Sequence, residues 1–349
     1  TEMARTVLDH AMDVHAGKGI QMGPKNYLAH NYMGIPVAIT VEGANILTRN
    51  LMIFGQGATR CHPYVLAELQ AAANPDQQAG LDEFDKLLFK HLGFAIGNVF
   101  GALEQGLTGA RFNHSPVSGE TAVYYRQLAR MSKALALCAD MSMLILGGDL
   151  KRKEMISARL GDVLSHLYLG SATLKFFEDN GRTRDELPFV HYALSRNLHL
   201  IGEALDGFFD NFPNRVVAGI LKALIFPFGN HYKKPLDKHA QDISELLMTP
   251  SSHVRQRLTR LCYVPDVSLP GLGEVEAAFL AMVGVQDIEH KLRVAQKAGT
   301  LARKLSFNAL LAQAKEHHII SEADIERLQH ADELRRNAIA VDSFKPGEL

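Results

Sequence analysis

Apolar positions recur along this chain at intervals of three and four residues, and the period of two that marks a half-buried strand is scarce. Met3, Ala4, Val7, Leu8 and Ala11 form one such stripe, and Leu47, Leu51, Phe54 and Ala58 another. Longer stripes run over about 81–105, 118–146, 152–178, 187–210, 273–295 and 320–338, each wide enough to be one face of a helix of several turns. Between them fall residues that stop or turn a chain: Asn74-Pro75-Asp76, Asn113-His114-Ser115-Pro116, Asn180-Gly181, Phe212-Pro213-Asn214, Phe226-Pro227 and the stretch from Pro265 to Gly273. Only Ile35–Val41 has an extended character, and Pro36 removes an N–H that a central strand needs. The pattern predicts an all-α protein. No repeat of fixed period emerges, which argues against a helical solenoid.

The spacing of glycines divides the chain. Residues 1–62 carry several in short motifs, Gly17-Lys18-Gly19, Glu42-Gly43 and Gly55-Gln56-Gly57. After Asn74 the helical stripes are longer and more charged. A boundary is expected within AAANPDQQAG, near 72–80, separating 1–72 from 80–349.

Composition narrows the function classes. With 349 residues and 47% hydrophobic content there is ample chain for a core, and disorder is excluded. Lys+Arg 37 against Asp+Glu 38 leaves a net charge of -1, so no long-range field draws in nucleic acid or an anionic bilayer. Cys61, Cys138 and Cys262 are an odd, scattered set without a CxxC, as expected of reduced thiols in a cytoplasmic protein. The apolar stretches Ala134–Leu146 and Val216–Phe228 fall short of a membrane span, and Asp140 and Lys222 interrupt them.

Two short segments carry candidate chemistry. Gly17 and Gly19 either cap the first helix through positive φ or let backbone N–H groups approach a phosphate closely. No strand precedes them, so a dinucleotide fingerprint is excluded. Glu42, in Thr40-Val41-Glu42-Gly43-Ala44-Asn45, either sits at the positive end of a helix dipole or serves as a base. Taken alone the segment reads first as a helix start, while the apolar neighbours Ile39, Val41, Ile46 and Leu47 keep the base open, because a carboxylate in a pocket that dries on substrate binding holds a proton more readily. His15, His30 and His62 lack metal-ligand spacing and are expected as surface or capping residues, with no metal site. Cys61 and His62 are adjacent and so do not form a dyad. Lys151-Arg152-Lys153 is expected on a solvated helix face, and His317-His318 in the open.

The run PVAITVEGANILTRNLMIFGQGATRCHPY resembles the end of the acyl-CoA dehydrogenase fold, specifically the large bacterial long-chain enzymes of the FadE type. The later segments FNHSPVSG, GGDLKRKEMISARLGDVLS and NFPNRVVAG are similar to the extra C-terminal helical region of those enzymes, so the resemblance covers nearly the whole chain. It implies the end of an acyl-CoA dehydrogenase helical bundle over 1–72, followed by a larger helical extension over 80–349.

The resemblance also implies an activity. Glu42, followed by Gly43, stands where the family has its catalytic base, and its backbone N–H stands where the family binds the thioester carbonyl. A fatty acyl-CoA is then converted to the trans-2-enoyl-CoA, with hydride passing to FAD and onward to an electron-transfer acceptor protein. Gly17 and Gly19 match a glycine turn that touches FAD of a neighbouring subunit in a homo-oligomer. Asp13 departs from the family's glutamine, Ala16 from its first glycine, and Ala44 from a hydroxyl residue near the flavin; an acid at Asp13 would repel a pyrophosphate. The chain is expected to be the base-bearing piece of the enzyme, inactive by itself, with most of the FAD and acyl-CoA site on a preceding β-domain. A preceding segment could also bring a cytoplasmic protein to the inner membrane. A non-catalytic helical scaffold and an acyl-CoA-binding module are the alternatives, and binding of nucleic acid is not expected.

Overall fold

The computed structural model describes residues 2–41, 47–260, 262–263 and 265–348. These residues are all-α, with no strand among them. In chain order the α-helices are α1 (Glu2–His15), α2 (Gly17–Ile20), α3 (Ala29–Gly34), α4 (Ala38–Val41), α5 (Gly57–Arg60), α6 (Val65–Ala72), α7 (Gln77–Thr108), α8 (Ala122–Leu146) and α9 (Glu154–Asp179). They continue as α10 (Leu187–Asn211), α11 (Arg215–Ile225), α12 (Asp237–Met248), α13 (His253–Thr259), α14 (Leu272–Gly284), α15 (Gln286–Lys297), α16 (Phe307–Glu316) and α17 (Glu322–Ile339).

Turn chemistry sets the boundaries. The Asp76 carboxylate accepts from the N–H groups of Gln78 and Ala79, both at 3.1 Å, and starts α7. Gly109, at φ 63°, ends it in the left-handed conformation. Asn214 caps α11 through the N–H of Val217, and Ser321 with Asp324 forms a capping box on α17. Two expectations are corrected. Ile35–Val41 is helical, a 3-10 turn followed by α4, because Pro36 in the first turn of a helix gives up an N–H that has no partner there. The stripe over 273–295 is two helices, divided at Val285, whose φ of -113° is not helical.

The chain forms two compact units, one of residues 1–41 with 245–349, the other of residues 42–244. The second is a bundle of α7 to α11. Met131 and Leu137 of α8, Leu160 and Leu174 of α9, Leu194, Ile201, Leu205 and Phe208 of α10, and Leu221 and Ile225 of α11 fill its core. Glycine lets its helices approach closely. A Cβ on Gly106 would lie 2.8 Å from the Leu224 carbonyl oxygen, and one on Gly161 2.9 Å from that of Arg49. Arg49 is the second residue of a stretch of π-helix, Thr48–Gln56, and its guanidinium grips Asp162 with two hydrogen bonds of 2.6 and 2.5 Å. Helices α6 and α7, on either side of residues 72–80, pack together within this unit. By length and composition, the helix from Ala122 to Lys151 could cross a membrane. Here Met131, Ala134, Leu137 and Cys138 set one face of it in the core, while Val123 and Leu144 are exposed.

In the other unit α14 packs along α17, and Ile288, Leu292, Leu311, Ala314, Leu328 and Ala331 form the core. The N-terminal arm contributes few apolar groups to it: α1 has no buried residue.

Candidate functional site

The glycine turn follows α1 directly. Ala16 adopts φ 48° and ψ -125°, a conformation that glycine takes freely and L-residues avoid. The positive φ therefore falls on Ala16 and not on either glycine. Gly17 is exposed, with no atom within 4 Å of where a Cβ would stand. Gly19 is buried. Its N–H donates to the Ala16 carbonyl at 3.0 Å, and a Cβ there would lie 3.3 Å from the Met12 sulfur. Of the two glycines only Gly17 offers open backbone. Asp13 is exposed one turn earlier.

Buried polar groups hold this turn. Asn26 makes four hydrogen bonds: its Nδ2 donates to the carbonyls of Gly19 and Gln21, each at 2.9 Å, and its Oδ1 accepts from the N–H groups of Leu28 and Ala29, each at 3.0 Å. His15 donates from Nδ1 to the Ala11 carbonyl at 2.7 Å and accepts at Nε2 from the Tyr27 hydroxyl. Lys18 is buried, lies 5.6 Å from the Tyr27 ring centroid, and donates to the Ala338 carbonyl at the end of α17. Burial holds its ammonium below the usual lysine range, against the pull of Glu274 in the other direction. Val14, Val275, Phe279 and Met282 line a cavity of about 350 Å³ beside it. Glu42 and Ala44 lie outside the described residues.

A second polar cluster joins α6, α7 and α8. The N–H groups of Tyr64 and Val65, at the start of α6, donate to His62 Nδ1 at 3.2 Å each. The ring proton is therefore on Nε2, which donates to Asp140 Oδ1 at 2.7 Å. His91 donates from Nδ1 to Glu68 at 2.8 Å, and its Nε2 stands 3.7 Å from the same Asp140 oxygen. Tyr64 stacks on the His91 ring, with centroids 5.5 Å apart.

The donor atoms of His62, His91 and Asp140 converge to within 4.8 Å of one another, close enough to hold a metal ion. The tautomer that the α6 amides impose on His62 opposes this, since ligation at Nε2 needs the proton on Nδ1. The arrangement acts as a polar clasp among three helices. His62 does cap a helix, as expected, although its side chain is only 7% exposed. The expected patterns missed His91, Glu68 and Asp140. One signal was present: an acid in the middle of an apolar core stripe must find a partner.

A family model described as acyl-CoA dehydrogenase, C-terminal, bacterial type, matches residues 59–344. No solved structure matches the chain.

Proposed function

The chain belongs to the bacterial-type acyl-CoA dehydrogenase C-terminal family, and from that premise we propose that it is part of an FAD-dependent enzyme of fatty-acid β-oxidation that converts fatty acyl-CoA to trans-2-enoyl-CoA. The match over residues 59–344 carries this proposal, and the Glu42-Gly43 pair just before it supplies the chemistry. An oxidoreductase role follows from the family. Substrate, cofactor and residue roles are our assignment.

Glu42 takes the proton from the α-carbon of the thioester. That proton is too weakly acidic for a free carboxylate, so the site must help from both sides. Apolar neighbours make the carboxylate a stronger base as water leaves, and the Glu42 N–H donates to the thioester carbonyl where negative charge develops. FAD, when bound, supplies the acceptor for the hydride that leaves the β-carbon. The open backbone at Gly17 fits a contact at the edge of such a cofactor, and the glycine-like conformation of Ala16 keeps the turn in shape for it. Asp13 does not fit a contact with a pyrophosphate, and Gly19, turned inward, supports the turn. An electron-transfer protein would reoxidise the flavin, and the enzyme would work as a homo-oligomer on the cytoplasmic side of the inner membrane.

Glu42→Gln in the full-length enzyme tests the assignment. Turnover should fall by about 10³-fold while the flavin absorption band and acyl-CoA binding persist. Activity within tenfold of the unaltered enzyme would remove Glu42 from the role of base.

A further inference from the structure

Helix α7 presents an apolar face that no other described residue of this chain covers. Leu88, Leu92, Ile96 and Phe100 form a ridge of fourfold spacing, flanked by Phe89 and Leu107, and these six side chains are 44% to 72% exposed. With Leu81, also exposed, the stripe runs about 39 Å along one rigid helix. Single exposed leucines are ordinary, but a contiguous stripe of this size marks an interaction surface.

We propose that this face is a two-fold contact between two copies of the chain, with the α7 helices packed antiparallel. Area is the first argument: covering these side chains removes roughly 600 Å² per copy, near the ~800 Å² per partner of a standard interface. Charge is the second. Lys86 and Glu104 are both exposed and stand 18 residues apart, about five full turns, on the same flank of the stripe. Neither has an ion-pair partner among the described residues. A two-fold axis near Ala95 brings Lys86 of each copy to Glu104 of the other. The same axis sets Asp82 against the last turn of the partner's α7, which Arg111 follows, and opposes the two helix dipoles favourably.

The centre of the stripe is shaped for close approach. Gly93 and Gly97 lie beside the ridge with no atom within 4 Å of where their Cβ atoms would be. Packing among the described residues does not explain two exposed glycines in mid-helix, where alanine is the more stable residue. Against a second copy they form the groove that receives the Leu92–Ile96–Phe100 ridge. Such self-complementarity is what a closed two-fold contact requires.

Sedimentation of the full chain across micromolar concentrations tests this, independently of any dehydrogenase assay. A dimer is expected, with Leu92→Glu/Ile96→Glu raising its dissociation constant at least 100-fold. Lys86→Glu should weaken it about tenfold, and Lys86→Glu/Glu104→Lys should restore it. Gly97→Leu, which favours helix in the monomer, should raise Tm at low concentration and abolish the dimer. A chain that stays monomeric at 100 μM, a dimer indifferent to the ridge substitutions, or one held together by another protein's presence would overturn the proposal.

Discussion

The N-terminal arm and the α7–α11 bundle are both helical, but different forces specify them. In the bundle the most deeply buried side chains are large and apolar, with Phe208, Phe209, Phe212, Met131 and Leu160 all enclosed. In residues 2–41 the buried set is Lys18, Gly19, Asn26, Leu28 and Ala29. The bundle is held by volume that must be filled, and the arm by a few polar groups that must be satisfied. A helix that buries nothing, as α1 does, keeps its place only through what its neighbours bond.

The largest effect that separates the two comes from deleting apolar volume. Leu205 is fully buried in α10, and Leu205→Ala should cost about 3 kcal/mol, from lost transfer energy and from the cavity left among close-packed helices. Val7→Ala on α1, where the side chain is 64% exposed, should stay within about 0.5 kcal/mol. Denaturant unfolding of both variants measures the difference. Comparable losses would mean that α1 is packed in solution and that the contrast is wrong.

Removing a polar keystone reverses the pattern. Asn26→Ala breaks four hydrogen bonds and leaves the Gly19 and Gln21 carbonyls and the Leu28 and Ala29 amides without their partner. The expected loss is about 2 kcal/mol, and it should fall on the arm alone. Hydrogen exchange resolved along the chain should show faster exchange at Gly19–Tyr32 and unchanged protection in α8 to α10. A loss of protection spread over the bundle would contradict separate cores.

The same division explains what the sequence makes legible. Helices and their ends are local matters, so Asp76 and Asn214 could be read as caps from the turn residues around them. The membership of Residues 1–41 and 245–349 in one compact unit depends on partners far along the chain, such as Lys18 with Ala338 and the Lys25 amide with Asp342. No periodicity encodes such pairs. The clasp of His62, Glu68, His91 and Asp140 is hidden for the same reason, with 78 residues between His62 and Asp140. The role proposed for Glu42, which lies outside the described residues, rests on resemblance alone; its own spacing leaves that role shared between cap and base.

The smallest effect is the most local. Ala16 holds a backbone conformation that costs an L-residue roughly 1–3 kcal/mol, and glycine adopts it without strain. Glycine also makes the unfolded chain freer, which takes back about 0.4–1 kcal/mol. Ala16→Gly should therefore stabilise the turn by about 1 kcal/mol, a gain with no new contact. It should appear as slower exchange of the Gly19 and Gln21 amides, which donate to the Ala16 and Gly17 carbonyls at 3.0 Å each. Faster exchange there would mean that the turn is held by its sequence neighbours and not by Asn26 and Lys18, because only an externally fixed turn keeps a strained alanine in place. A gain would show that the arm's polar bonds already impose a glycine's conformation on a residue poorly suited to it.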